Sequence, residues 1–401
     1  MKIVIAPDSY KESLSAPDVA EVIEKGFREI FPDARYVRVP LADGGEGTVE
    51  AMIAATQGKE CHAQVTGPLN SKVDAVWGLS GDGNTAFIEM AAASGLGLVP
   101  PDKRDPLLTT SYGTGELIAQ ALNNGAKKIV IGIGGSATND AGVGMMQALG
   151  VRFLDGEGRD LSPGGGSLSQ LERIDISGLD PRLADCTVRV ACDVTNPLIG
   201  PQGASRIFGP QKGATEEMIN TLDKNLEHYA DIIARSFDID VKHSPGTGAA
   251  GGMGATLKVF LNAELRRGIE VVTQALNLEE QIHDCTLVIT GEGRLDSQSI
   301  NGKVPVGVAS IAKKYDKPVI AIAGSLHPDV DVVYQHGIDA IFSVLSTLST
   351  REEAFSGAPE NIYRTARNVA AMVKIGMSLS IVPATRSSLS SAKSLESLPG
   401  D

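Results

Sequence analysis

The chain opens on an unbroken apolar run, Ile3-Val4-Ile5-Ala6, which gives way at once to the polar stretch Pro7-Asp8-Ser9-Tyr10-Lys11-Glu12-Ser13. A short apolar run without helical spacing predicts a strand, here Lys2–Ala6. Ser15, with Pro17 and Asp18 just behind it, marks a helix start, and Val19, Val22, Ile23, Phe27 and Ile30 then recur at helical spacing. Tyr36–Val39 reads as a second strand, ending in Ala42-Asp43-Gly44-Gly45-Glu46-Gly47, and a helix follows through Met52 and Ala55. The pattern then changes. Ala63–Val65, Val73–Trp77 and Ala86–Ile88 are short candidate strands separated by Gly, Asn and Asp turns, as in hairpins. A helix at Gly115–Leu122 precedes the strand Lys127–Ile133, Val188–Ala191 is a further strand, and Thr215–Phe237 is a long polar-faced helix. Beyond about residue 280 regular alternation returns: Thr286–Thr290, Val319–Ala323 and Ile338–Val344 are near-continuous apolar runs, as strands covered on both faces should be.

The two ends of the chain thus resemble each other and the middle does not. This predicts an α/β protein with a flavodoxin-like or Rossmann-like parallel sheet built from both chain ends, residues 1–65 and 281–378, and a mixed α/β domain inserted at 66–280. Residues 379–401 are Ser-rich and without periodicity, so a disordered, dispensable tail is expected there.

Composition narrows the function classes. The net charge of −13 and an aromatic content of 4% argue against nucleic acid, which needs a basic surface and stacking platforms. Cys61, Cys186, Cys192 and Cys285 form no CxxC pair, so buried reduced thiols are expected rather than a zinc site or disulfides. With no membrane-length apolar run and no signal-peptide pattern, the expectation is a cytoplasmic protein without a membrane partner; its oligomeric state is open.

In open α/β sheets, ligands sit beyond the carboxyl ends of the strands. That puts Asp8, Ser9 and Lys11 where chemistry is expected, although Asp8 and Ser9 could equally just shape a turn. Gly132-Ile133-Gly134-Gly135-Ser136-Ala137 satisfies GxGxxA, and Val151–Leu154 ends in Asp155 at the spacing of a ribose-binding acid, so an NAD(P)-dependent oxidoreductase on a small hydroxy acid is a rival reading. A bare glycine turn and a phosphate loop of another kind remain open beside it. Gly246-Thr247-Gly248-Ala249-Ala250-Gly251 also fits GxGxxG but lacks a clear preceding strand, and its small residues could simply permit close helix packing. No Walker A or protein-kinase sequence is present; Ile300-Asn301-Gly302-Lys303-Val304 is the nearest approach.

Val188–Ala191 runs straight into Cys192-Asp193-Val194-Thr195-Asn196, which makes Asp193 the foremost reacting carboxylate: a base for a hydroxyl, a magnesium ligand, or merely a turn cap. Gly291-Glu292-Gly293-Arg294-Leu295-Asp296 repeats the design, and Asp43-Gly44-Gly45 is a third instance. Such strand ends suit phosphoryl chemistry, with carboxylates for metal and glycine N–H groups for phosphate. Lys11, Arg206, Lys212 and Arg294 are the candidate cations; Lys212, just before the helix at Thr215, is either an anion contact or a solvated lysine.

The opening motif, the Asp43 segment, Gly134–Asp140, the Asp193 strand end, Gly209–Ala214 and Gly291–Ser299 occur in an order that resembles the bacterial glycerate kinase family forming 2-phosphoglycerate, over roughly Met1 to Ser378. The resemblance implies two α/β domains, ATP with Mg²⁺, and D-glycerate held in the cleft between them; it demotes the oxidoreductase and a non-catalytic nucleotide-binding regulator to alternatives. On that footing Asp193 orients or deprotonates the attacking hydroxyl, Lys11 offsets phosphoryl charge, and Asp8 and Asp296 position the metal or the lysine. Ser9, Asp43, Gly44, Gly45, Gly134, Gly135, Ser136, Asn196, Arg206, Lys212, Gly291, Glu292 and Arg294 are the expected substrate and phosphate contacts. Glu12 departs from the family pattern, which often has glycine there, and the tail has no counterpart.

Overall fold

The structure, a computed structural model, describes residues 1–45 and 47–380. Five parallel strands, in the order Ala340–Ser343, Val319–Ala323, Leu287–Gly291, Lys2–Pro7, Arg35–Arg38, form one sheet drawn from both ends of the chain. Side chains alternate across the strand Lys2–Pro7, as a period of two requires. Ile3 and Ile5 pack with Val19, Ile23 and Phe27 of the Ala16–Ile30 helix and with Ile362, Ala366 and Val369 of the Ala358–Ser380 helix. Val4 and Ala6 face the opposite core, which contains Val271, Val272 and Val308. Ser15 caps the first helix as its sequence requires, accepting from the Asp18 amide. The helix Ala358–Ser380 reaches two residues past the expected boundary at 378; of the expected tail at 379–401, residues 381–401 lie outside the described residues.

The second sheet has six strands in the order Glu264–Arg266, Thr187–Ala191, Lys128–Gly132, Thr85–Glu89, Lys72–Leu79, Lys59–Thr66. The first four are parallel and the last two antiparallel, so this sheet is mixed. Lys59–Thr66 pairs along its whole length with Lys72–Leu79, so the second sheet begins before residue 66. The helices Thr48–Thr56 and Gly268–Ala275 share one core with Phe87 and Val130 of this sheet and with the face of the first sheet that carries Val4 and Ala6.

The fold removes the dinucleotide pattern at Gly132–Ala137. The helix after it is only Val143–Ala148, and the next strand, Arg152–Leu154, pairs antiparallel with Arg173–Asp175 outside the main sheet. A Rossmann unit needs that strand beside the first, in parallel. The second glycine pattern is a packing device: a Cβ at Gly248, Gly251 or Gly254 would lie 2.0–2.2 Å from a backbone carbonyl oxygen. All four cysteines are free, with Cys285 buried and the other three part-buried. No helix among the described residues is long and apolar enough to cross a membrane.

Candidate active site

In the first sheet the chain steps from Lys2–Pro7 outward to Arg35–Arg38, then returns to the other side of Lys2–Pro7 as Leu287–Gly291. This reversal opens a crevice at the carboxyl ends of the strands, where α/β proteins bind ligands. Parallel register sets Pro7 opposite Gly291, and the Asp8 amide donates to the Gly291 carbonyl at 2.8 Å. Asp8 and Glu292 therefore emerge side by side, although they lie near opposite ends of the chain.

A cavity of 570 Å³ lies on this edge, lined by Asp8–Ser13, Asp43, Glu292–Arg294, Lys303, Gly324, Ser325 and the segment from Val344 to Ala358. A volume of this order suits a cofactor-sized ligand. The Asp8 carboxyl is pushed up to about 7, first by burial and then by the charges of Asp43 and Glu292, against the opposing Ser9 amide and Lys11. Burial also raises the Glu292 carboxyl, whose Oε1 accepts from Ser299 Oγ at 2.6 Å and whose Oε2 lies 3.5 Å from Lys303 Nζ. Lys11 is exposed on the cavity wall. The tight turn at Tyr10–Leu14 holds Glu12 at φ 64°, a left-handed conformation that glycine would adopt without strain. Its carboxylate pairs with Arg351 Nη2 at 2.7 Å across the cavity.

A second cavity, of 210 Å³, lies at the carboxyl ends of Lys128–Gly132 and Thr187–Ala191. Gly134, Gly135 and Ser136 line it on one side and Asp193 on another, with Asp43, Gly44 and Gly45 reaching over from the first sheet. Asp43 belongs to both cavities and links them. Only glycine fits at position 44: φ is +93°, and a Cβ would lie 2.7 Å from the Ala191 Cβ. Asp193 Oδ1 accepts from the Gly268 amide at 2.9 Å. Its carboxyl is raised, chiefly by desolvation, then by the charge of Asp43, while the Gly268 hydrogen bond opposes the rise.

Asp8, Ser9, Lys11, Asp43, Gly44, Gly45, Gly134, Gly135, Ser136, Asp193, Glu292 and Arg294 thus come together around two joined cavities. Others expected there do not reach a cavity wall. Arg206 is on the outer surface, bonded to Asn220 Oδ1 at 2.7 Å and paired with Glu216 at 3.3 Å. Asn196 turns its amide to the Gln202 carbonyl at 2.8 Å. Gly291 stays within the strand, where a Cβ would meet the Ile322 carbonyl at 1.8 Å. Asp296 caps a short 3₁₀ turn through the Gln298 amide and faces Lys303 at 3.5 Å and Arg294 at 3.6 Å, so its carboxylate is already engaged. Lys212, expected as an anion contact or a solvated cation, is not solvated. It is 1% exposed, and Nζ donates to Ser136 Oγ at 2.8 Å and to the Thr138 carbonyl at 2.6 Å. Burial pushes its ammonium down to about 7, with Asp140 acting the other way.

Two residues escaped the sequence reading. Lys303 joins the cavity wall from the residue before the Val304–Lys313 helix; the signal its sequence offers is a lysine directly after a glycine at a helix start. Asp140 is buried and accepts from Ser111 N, Ser111 Oγ, Gly142 N and Gly144 N at 2.8–3.3 Å, which locks the loop that carries Gly134–Ser136. Its adjacency to Asn139 in a glycine-rich loop was the available signal.

The chain matches the model of the glycerate kinase family over residues 3–374. It is 72% identical over 377 residues to the glycerate 2-kinase of Escherichia coli K12, covering 94% of this chain and 99% of that protein. Against the glycerate kinase of Bacillus subtilis 168 the identity is 55% over 382 residues, covering 95% of this chain and all of the other. A crystal structure from Salmonella typhimurium LT2, assigned to glycerate kinase 2, superposes with a TM-score of 0.88 at 62% identity, covering 94% of this chain and 100% of that one. With its paired cavities at the strand ends of two α/β sheets and a family match over nearly its whole length, the chain belongs to the glycerate kinase family.

Proposed function

We propose that this protein transfers the γ-phosphoryl group of ATP to D-glycerate, yielding ADP and 2-phosphoglycerate. The observation that carries the reading is the joined pair of cavities, 570 Å³ and 210 Å³, with Asp43 common to both. The larger suits a nucleotide and the smaller a three-carbon acid, so donor and acceptor would meet near Asp43. The 2-hydroxyl oxygen of glycerate bonds to the γ-phosphorus as the bond from phosphorus to the β,γ-bridging oxygen breaks. The hydroxyl proton passes to Asp193. Its carboxyl, raised chiefly by desolvation, is a better base than an ordinary aspartate. Lys11, with Lys303 on the same wall, would offset the charge on the departing phosphate. Catalysis is then mostly positioning plus electrostatics, as phosphoryl transfer requires.

Among the described residues no cluster of three or more ligand side chains forms a metal cage. Magnesium needs none, because it takes one or two carboxylates and completes its shell with phosphate oxygens and water. Asp8 fits that role with Asp43 beside it, because both lie on the cavity wall and their charges crowd each other; Asp296 fits less well, its carboxylate being paired already. When bound, Mg²⁺ would supply charge neutralisation on the phosphates. The cytoplasm is the proposed site of action, in keeping with four cysteines that are all free.

A coupled assay tests the reading. ADP release that requires both D-glycerate and Mg²⁺ supports it, and phosphorus NMR of the product distinguishes the 2-phosphate from the 3-phosphate. Glycerate-dependent NAD⁺ reduction, or nucleotide binding without turnover, would reject it in favour of an oxidoreductase or a regulator.

A further inference from the structure

The 210 Å³ cavity has two chemically opposite walls. Asp43 and Asp193 present carboxylates on one part of its lining. The loop Gly134-Gly135-Ser136 presents donors on another. This loop is anchored by its far edge, where Leu96 N donates to the Gly135 carbonyl at 2.8 Å and Ala137 N to the Ser94 carbonyl at 2.9 Å. The N–H groups of Gly134, Gly135 and Ser136 have no acceptor among the described residues. Gly135 stands at φ +71°, and successive N–H groups around such a left-handed residue form a concavity for an anion.

The Ser136 hydroxyl is aimed by its partner. In the 2.8 Å contact Lys212 Nζ donates to Ser136 Oγ, so the serine oxygen is the acceptor whenever Lys212 carries its proton, an ammonium having no lone pair to offer. The serine proton must then point away from Lys212, and no acceptor for it exists among the described residues outside the cavity. Lys212 is held in place by its second bond, to the Thr138 carbonyl at 2.6 Å. A cavity with unfilled donors on one wall and carboxylates on another suits a ligand that carries an anionic group at one end and a hydroxyl at the other. That is a hydroxy acid.

We infer that Gly134-Gly135-Ser136 receives the carboxylate of the acceptor substrate, and that Lys212 is a positioning residue which orients the Ser136 hydroxyl toward it without touching the substrate. The inference rests on the kinase reading above and deepens it. The substrate's carboxylate lies on the donor wall, and its hydroxyl turns toward Asp193.

The test compares Ser136→Ala and Lys212→Met with the unaltered enzyme, using D-glycerate and its neutral amide, glyceramide, as acceptors. Loss of one hydrogen bond to a charged group is expected to lower kcat/KM for D-glycerate about tenfold to a hundredfold. The KM for ATP should stay within about twofold, and the loss should largely vanish with glyceramide. Calorimetric binding of D-glycerate should weaken in parallel in the Ser136→Ala protein. Should Lys212→Met fail to fold, Ser136→Ala carries the test, because losing one hydroxyl leaves the backbone bonds that anchor the loop in place. A rise in the KM for ATP with glycerate unaffected would mean that the loop holds phosphate, and would overturn the inference. Equal losses for both acceptors, or no loss, would also overturn it. The binding measurement separates the two levels of the argument. Glycerate that binds the unaltered protein, and binds Ser136→Ala less tightly, supports the carboxylate site even without turnover; glycerate that binds neither protein refutes both.

Discussion

Asp8 carries a penalty that its removal should expose. Its carboxyl rises from the ordinary 3.8 to about 7 because it is buried and because Asp43 and Glu292 crowd it with like charge. A rise of that size corresponds to about 4 kcal/mol against the ionised form. The sign follows from proton counting. Below about pH 4 the carboxyl is protonated whether the chain is folded or not. Between about 4 and 7 the unfolded chain loses the proton and the folded one keeps it, so stability falls as pH rises; above about 7 the loss is complete. An asparagine in place of Asp8 retains an oxygen for the Ser9 amide, which donates to Asp8 Oδ1 at 2.6 Å, but cannot ionise. Asp8→Asn should therefore match the unaltered protein only below about pH 4, exceed it by about 1.5 kcal/mol at pH 5 and by about 4 kcal/mol at pH 8. Urea unfolding of both proteins at pH 5 and pH 8 provides the comparison, and differencing the two cancels every titrating group that the substitution leaves alone. Turnover of the variant should fall at the same time, since the strain serves the site. A stability difference that does not change with pH would refute the reasoning. So would a variant that is less stable at pH 8, which would mean that ionised Asp8 is satisfied by Lys11.

Three further outcomes are expected. Asp193→Asn should keep its bond to the Gly268 amide and fold normally, yet lose roughly 10²–10⁴-fold in turnover, whereas near-normal activity would leave Asp193 as no more than a cap on the Gly268–Ala275 helix. Lys11→Met should lower turnover about a hundredfold with the melting temperature unchanged, because the lysine is exposed and its partner charge develops in the transition state; a shift in melting temperature without loss of rate would make it a turn residue. Gly44→Ala should cost about 2 kcal/mol or more in urea unfolding, since it forces a left-handed φ and drives a methyl into Ala191; an unaffected midpoint would show that the seam between the sheets is loose.

Where the site could be read from local pattern, the reason is that strands buried on both faces need uninterrupted apolar runs, and those runs announce their own ends. Asp8 and Glu292 each follow such a run, whereas Asp43 and Asp193 follow strands interrupted by Arg38 and Arg189 and are marked by the turn residues behind them; all four come to a cavity. The assembly of one sheet from both chain ends was legible for the same reason. What local pattern could not contain was the company each side chain keeps. Asp8 meets Glu292 only because Pro7 is registered against Gly291. Arg206 and Asp296 carry the right charges in suggestive places, but nearby partners claim them first: Glu216 and Asn220 for one, Lys303 and Arg294 for the other. Lys212 looks like a solvated cation in sequence, and only packing across the Gly134–Asp140 loop buries it against Ser136 and turns it into a hidden donor. The sequence by itself therefore determined the strands, their covered faces and the acid-bearing loops at their ends, because these follow from short-range periodicity and turn chemistry. Which of those acids share a cavity, and which cations face it, only the tertiary structure decided, because charge pairing and burial depend on strand register and domain packing between residues far apart in the chain.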